Sequence, residues 1–444
     1  MTRNMTRGGS MRIFSRTGLM TAMIAVGLSG CGVFDEDEVI LPGERIPVRS
    51  QPAERASAAP AAAISAPRAN AEWTQVNGSA AHALGHIEAP ASLSVAWRAD
   101  IGVGGDGLTA TPVVAEGKVF TLDGAARLSA FSTSGGSSWR TDLTPEGESS
   151  DDGFGGGLAY DSGALYVTTG FGEVIAVDPS SGEIRWRQKM SAPIRSAPAA
   201  SNGVVVAVAR DNTAIAYAGE DGAVLWRLSG AASASAGILG GASPAISPGG
   251  VAIVPFASGE LIAARLTTGQ RLWTDVISGG RRAFARSVIS DISADPVIQG
   301  VVVIAGNQSG QLVAIDGRNG RRGWVREFGA RNAVWVDGTS VYLISDNAEL
   351  RRLASNDGGT VWTTTLEEYR DPDDREDAIA YGGPVLAGGR LLVTSSEGEV
   401  LSFDPATGAQ TGSVAVSGIN GLGPVVAGGT VYVMTSAGGI VALR

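Results

Sequence analysis

The sequence predicts an all-β fold, an eight-bladed β-propeller of four-stranded antiparallel blades, and three observations carry that expectation. A Gly-x-x-x-Trp motif recurs from Gly135 to Trp362, with successive tryptophans 38 to 51 residues apart, a length that holds four short strands and their turns. Glycine makes up 63 of 444 residues while charged residues are only 18%, which suits strands joined by tight turns rather than helices. Upstream of the motif, proline-headed strands precede aliphatic ones, as in Ser196-Ala-Pro198 before Val204-Val-Val206. Proline at the first residue of a strand loses no ladder hydrogen bond, so it marks a boundary.

Taken in order, the chain opens on Arg3, Arg7, Arg12 and Arg16 with no acid, then an apolar run from Gly18 to Leu28, then Leu28-Ser-Gly-Cys31. Residues 1–30 read as a secretory signal ending in a lipobox, the run being too short for a comfortable transmembrane helix. The pattern resembles that of bacterial lipoproteins, which implies that Cys31 becomes a lipidated N-terminus. Gly32, where an aspartate favours inner-membrane retention, points to the periplasmic face of the outer membrane. Loss of the signal leaves 30 basic against 44 acidic side chains, a net charge of −14, which argues against nucleic acid as a partner. The single cysteine excludes an intramolecular disulfide. Residues 31–72, acidic at Asp35 to Glu38 and then rich in Pro, Ala and Ser, are expected to be a flexible tether carrying the lipid.

The propeller is expected over 73–444. Its best-defined unit runs from Leu165-Tyr-Val167 through Val174, Ala176 and Asp178 to a Pro-Ser-Ser-Gly182 turn and Trp186. Proline presets φ and glycine accepts positive φ, so the chain reverses into an antiparallel strand. The motif stands at Gly135, Gly182, Gly222, Gly269, Gly320 and Gly358, each with tryptophan four residues on. A seventh turn, Asp404 to Gly408, has Gly412 where tryptophan is due. First strands count eight blades, and the last ends one strand short at Ile440-Val-Ala-Leu443. The Trp97-bearing strand from Leu93 is expected to complete it, closing the ring and removing its open edge. One tryptophan per blade reads as packing between blades rather than ligand stacking. Trp73 and Trp335 fall outside the repeat.

The consensus Ala-x-Asp-x-x-[Ser/Thr/Asn]-Gly-x-x-x-Trp, clearest at 176–186 and 314–324, resembles the quinoprotein-type propeller repeat over about residues 93–444. Behind a lipobox, the ring is similar to the BamB family of outer-membrane assembly lipoproteins. The resemblance implies a subunit of the β-barrel assembly complex that binds the periplasmic POTRA domains of the barrel subunit BamA and catalyses no reaction. It also implies contact residues: Ile194-Arg195 before Ser196-Ala-Pro198 matches a Leu-Arg pair, and Asp291-Ile-Ser293 matches an acidic loop at Asp291. An exposed apolar residue beside an arginine is the composition of an interface anchor.

The runner-up is a quinone-dependent dehydrogenase of the same fold. Against it, the ring lacks cysteine and histidine, both histidines (His82 and His86) preceding the first repeat, so thiol, imidazole and zinc chemistry are excluded from its interior. His82 and His86 make a weak metal signal, and Asp178, Asp316 and Asp404 read as turn caps. The acidic run Asp371 to Asp377 lacks the spacing of a calcium loop and reads as a solvated connection. No cofactor or metal is therefore expected. Capture of extended peptide by strand addition, as for unfolded outer-membrane proteins, is compatible with the scaffold reading.

Overall fold

The computed structural model describes residues 63–104, 110–153, 155–231, 241–277 and 291–444. The expected signal peptide, Cys31 and the tether up to residue 62 lie outside the described residues. Eight four-stranded antiparallel sheets follow one another along the chain. Blade 1 spans 113–142, blade 2 156–189, blade 3 199–229, blade 4 245–276, blade 5 292–326, blade 6 335–365 and blade 7 381–415. Blade 8 combines 425–443 with the strand Val95–Asp100, which pairs antiparallel with Gly439–Leu443. Ser94 and Arg444 exchange backbone hydrogen bonds of 2.8 and 2.9 Å at the junction.

The middle strands are unbroken aliphatic runs because a neighbouring blade covers each face. In blade 3, Val204–Val208 is buried at every position, whereas the outermost strand Val224–Ser229 buries only Trp226. The apolar core is accordingly a ring of seams between adjacent blades, such as Tyr166, Trp186, Val205 and Tyr217 between blades 2 and 3.

Seven of the eight seams are fastened by the repeated motif. The indole N–H of Trp186 donates to Gly219 O in the outer turn of blade 3 (2.9 Å), and that of Trp226 to Leu266 O in blade 4 (2.6 Å). Trp139, Trp273, Trp324 and Trp362 repeat the bond to the next blade, and Trp97 carries it from blade 8 to Thr133 O of blade 1. The motif glycine is the seat of the preceding blade's ring: a Cβ on Gly269, at φ +69°, would lie 2.6 Å from Trp226. Gly412 interrupts the series for a structural reason. Its seam faces blade 8, whose third and fourth strands come from opposite ends of the propeller and share no turn for an indole to meet.

Inside the ring lies an element that the repeat does not announce. The innermost strand of every blade is an edge, with N–H and C=O groups facing the channel and needing partners. Residues 70–87 supply them in ring order. Asn70 Nδ2 donates to Val426 O of blade 8 (2.9 Å), Trp73 pairs with Val114 of blade 1, and Thr74 O accepts from Tyr160 N of blade 2 (2.8 Å). Gln75 brackets Ala200 of blade 3, with Nε2 donating to its O (2.6 Å) and Oε1 accepting from its N (3.0 Å). After a turn at Asn77 and Gly78, both at positive φ, Ala80 O and Ala81 O accept from Ile246 N of blade 4 and Ile298 N of blade 5 (2.6 and 2.9 Å). Gly85 O accepts from Trp335 Nε1 of blade 6 (3.1 Å), and Ile87 N donates to Leu386 O of blade 7 (3.2 Å).

This inner belt accounts for Trp73 and Trp335, which stack at 5.9 Å and 18°. It also shifts the boundary of ordered chain. Residues 63–72, placed with the flexible tether on composition, are held in place: Ser65 N and Oγ donate to the Asp337 carboxylate, and Arg68 bridges Ile87. Low hydrophobicity misled there because hydrogen bonds of backbone and side chain, not apolar burial, fix the segment.

Candidate functional site

The two ends of the ring differ. Turns from first to second and from third to fourth strand gather at one end; connections between blades and turns from second to third strand gather at the other. The belt fills the channel towards the first end. The channel is left as a cup of about 300 Å³ open at the second, floored by Trp73, Val76 and Asn77.

Arg195 and Asp291, the two charged residues singled out for partner contact, both reach this second end. Arg195 lies in the connection from blade 2 to blade 3 and Asp291 in that from blade 4 to blade 5, and they line a small cavity together with Arg210. Arg210 sits in the second-to-third-strand turn of blade 3, where its N–H donates to Pro193 O (3.0 Å). The equivalent turns of the other seven blades carry no basic residue, so Arg210 was visible in the sequence to a turn-by-turn comparison. Asp291 is 4% exposed, and its Oδ2 has no hydrogen-bond partner among the described residues. Burial pushes its carboxyl up to about 6, opposed by the charge of Arg210. Burial and the like charge of Arg210 lower the Arg195 guanidinium below its ordinary value.

Ile194 does not have the exposure expected of an anchor. It is 0% exposed and packs between blades 2 and 3 with Met190, Ala207 and Tyr217. The alternation of side chains explains the difference: burying Ile194 in the seam turns Arg195 towards the channel mouth. Gly155 and Gly156, at φ +104° and +99°, let the next strand approach Arg195; a Cβ on Gly156 would lie 1.9 Å from Thr168 O.

The remaining candidates fall to structural roles. His82 is 1% exposed in the belt with Nδ1 2.7 Å from Pro296 O, and desolvation lowers its imidazole against an opposing effect of Asp295. His86 joins Ser65 O (2.6 Å) to Gly389 N (2.9 Å). Asp178, Asp316 and Asp404 accept from backbone N–H two residues on, at 2.8 to 3.0 Å, as turn caps do. The acidic run forms an exposed hairpin, Tyr369–Asp371 with Glu376–Ala378, on the connection from blade 6 to blade 7 and hence at the second end. A larger cavity of about 790 Å³ lies at the first end between the belt and blades 4 to 6, lined mainly by aliphatic groups such as Leu84, Ile253 and Val301. The second end gathers Arg195, Arg210 and Asp291 around one cavity, so it is the candidate site.

Comparison with known proteins agrees with this architecture. The family model described as outer membrane protein assembly factor BamB matches residues 125–364 and 346–444. Among similar proteins, BamB of Yersinia pestis is 28% identical over 322 residues, 71% of this chain and 79% of that protein. BamB of Escherichia coli K12 is 27% identical over 323 residues, 70% and 78%. Among solved structures, BamB from Moraxella catarrhalis superposes with a TM-score of 0.64 at 17% identity, covering 80% of this chain and 98% of that one. The quinohemoprotein alcohol dehydrogenase of Comamonas testosteroni superposes as well, with a TM-score of 0.65 at 14% identity over 84% and 80%. At such identities the superpositions establish the shared fold alone, whereas the family match spans most of the propeller: the chain belongs to the outer membrane protein assembly factor BamB family.

Proposed function

We propose that the protein is a non-catalytic scaffold lipoprotein of the outer-membrane β-barrel assembly machinery, anchored through Cys31 at the periplasmic face of the outer membrane. Its second end binds the periplasmic POTRA region of a BamA-like barrel subunit and thereby assists insertion of outer-membrane proteins. The observation that carries the reading is the cluster of Arg195, Arg210 and Asp291, brought to one cavity by two connections between blades and a turn within blade 3. Such a cluster offers a planar cationic fork for carboxylates or backbone carbonyls beside a single buried acid for a cation. Ile194 positions Arg195 from beneath instead of meeting the partner. Signal removal at residue 30, a lipid-bearing tether and the propeller beyond it complete the proposed organisation.

The belt disfavours the dehydrogenase alternative. A flat cofactor in the channel would compete with eight sets of belt contacts, and the buried histidines are engaged in holding the belt. The test is co-purification after mild detergent extraction: a BamA-like barrel protein is expected to accompany the chain, and its repeated absence would contradict the proposal.

A further inference from the structure

We propose that the blind cup at the mouth of the channel is an oxyanion-binding site that takes a carboxylate-bearing ligand. Its wall carries Arg195 and Arg331, brought to the rim by connections three blades apart around the ring, and Asp295 is the only acid among the described residues that line it. No hydrogen bond or ion pair reaches the Arg331 side chain among the described residues, although it is half-buried. Asp295 is already engaged: its Oδ1 accepts from Ser243 N (2.5 Å), and it faces His82 of the belt. Among the described residues the wall thus carries two guanidinium groups and one committed carboxyl, in a chain whose formal charge is −10. An uncompensated, partly desolvated guanidinium is costly, and a carboxylate that accepts two parallel N–H bonds relieves the cost.

The floor adds a second feature. Trp73 is 2% exposed, and its indole N–H has no hydrogen-bond partner among the described residues. Among the described residues neighbouring blades interlock at the rim: Thr168 Oγ1 donates to Ser196 O (2.7 Å), Ala197 N to Ser243 Oγ (3.1 Å), and Asn332 Nδ2 to Tyr381 O (2.9 Å). These bonds hold the segments bearing Arg195 and Arg331 in place before a ligand arrives, which lowers the cost of ordering them. At about 300 Å³ the cup admits a small dicarboxylate or one acidic side chain at the tip of a peptide, but not a folded element. The proposal stands on the cup alone and does not depend on which protein docks over it.

The experiment is calorimetric titration of the full chain, purified in detergent at low chloride, with succinate in one arm and a short Asp- and Glu-containing peptide in the other; the amide form of the same peptide is the control. Saturable binding in either arm is expected, and the arm that saturates identifies the source of the carboxylate. Arg331→Gln is expected to weaken binding at least tenfold, while Arg318→Gln, at the opposite end of the ring, leaves it unchanged. Thermal melts of both variants confirm folding. Absence of saturable binding in both arms up to 20-fold above about 1 mM, or binding that survives Arg331→Gln, overturns the proposal. Because no partner protein is present, a negative result leaves the docking of the second end on a barrel subunit to be judged separately.

Discussion

Replacing Trp226 separates the two parts of a seam. The indole is 7% exposed, lies over Gly269 of the next blade and donates to Leu266 O at 2.6 Å. Trp226→Ala removes roughly 150–250 Å² of aromatic burial and leaves a cavity, for which about 3–5 kcal/mol is expected. It also orphans the Leu266 carbonyl. Trp226→Phe keeps most of the ring and deletes the donor, so its cost should be about 1 kcal/mol. For a ring of roughly 380 residues the unfolding entropy is about 0.8 kcal/mol/K, so the alanine variant should melt about 4–6 °C lower and the phenylalanine variant about 1 °C lower. Gly412→Ala is the internal control, because that position meets no neighbour and a Cβ there touches nothing within 4 Å. Circular dichroism melts and urea titrations of the three variants provide the measurement. An alanine variant within about 1 kcal/mol of wild type, or a Gly412→Ala variant as damaged as Trp226→Ala, would refute the account of the seams.

Three further outcomes follow from named groups. Gln75→Ala removes both bonds to Ala200 and leaves a buried N–H and C=O unpaired; urea unfolding should show a loss of about 2–3 kcal/mol, and a loss below 0.5 kcal/mol would contradict a belt that stabilises the innermost strands. Asp291 has a folded-state value of about 6, above its unfolded one, so between about pH 4 and 6 the native state holds the proton that the unfolded state has lost. Stability should therefore fall by roughly 3 kcal/mol as pH rises through that window, and Asp291→Asn should flatten the fall in pH-dependent denaturation; an unchanged slope would count against the assignment. If a cation of the partner meets Asp291, association favours the ionised form. The partner affinity should then rise from pH 5 to pH 7 in wild type and not in Asp291→Asn, as read by calorimetry.

The ring was legible because its physics is periodic. A tryptophan and a glycine seat each recur in seven of the eight blades, with a turn aspartate in three, and the missing tryptophan at Gly412 follows from the way blade 8 is assembled. The belt was not legible, since residues 63–87 lack apolar periodicity and are held by a mixture of main-chain and side-chain hydrogen bonds to the innermost parts of the blades. Trp73 and Trp335 were its trace in the sequence, two aromatic residues out of register with everything else. The site was legible in part. Arg195 and Asp291 do share one end of the ring and one cavity, whereas the exposure of Ile194 depended on which side of a connection packs into a seam. Arg331 gave no local signal, because its isolation comes from the closure of the channel beneath it.

Affinity of the full chain for a purified POTRA fragment of the barrel subunit tests the central claim most directly. Measured at pH 7 by calorimetry or biolayer interferometry, wild type should bind. Arg195→Glu should lose about 2–5 kcal/mol of binding, or thirtyfold and more, with an unchanged melt. Arg318→Glu at the opposite end of the ring should bind as wild type does. Binding that is indifferent to Arg195→Glu but abolished by Arg318→Glu would place the partner on the other end of the ring and contradict the claim.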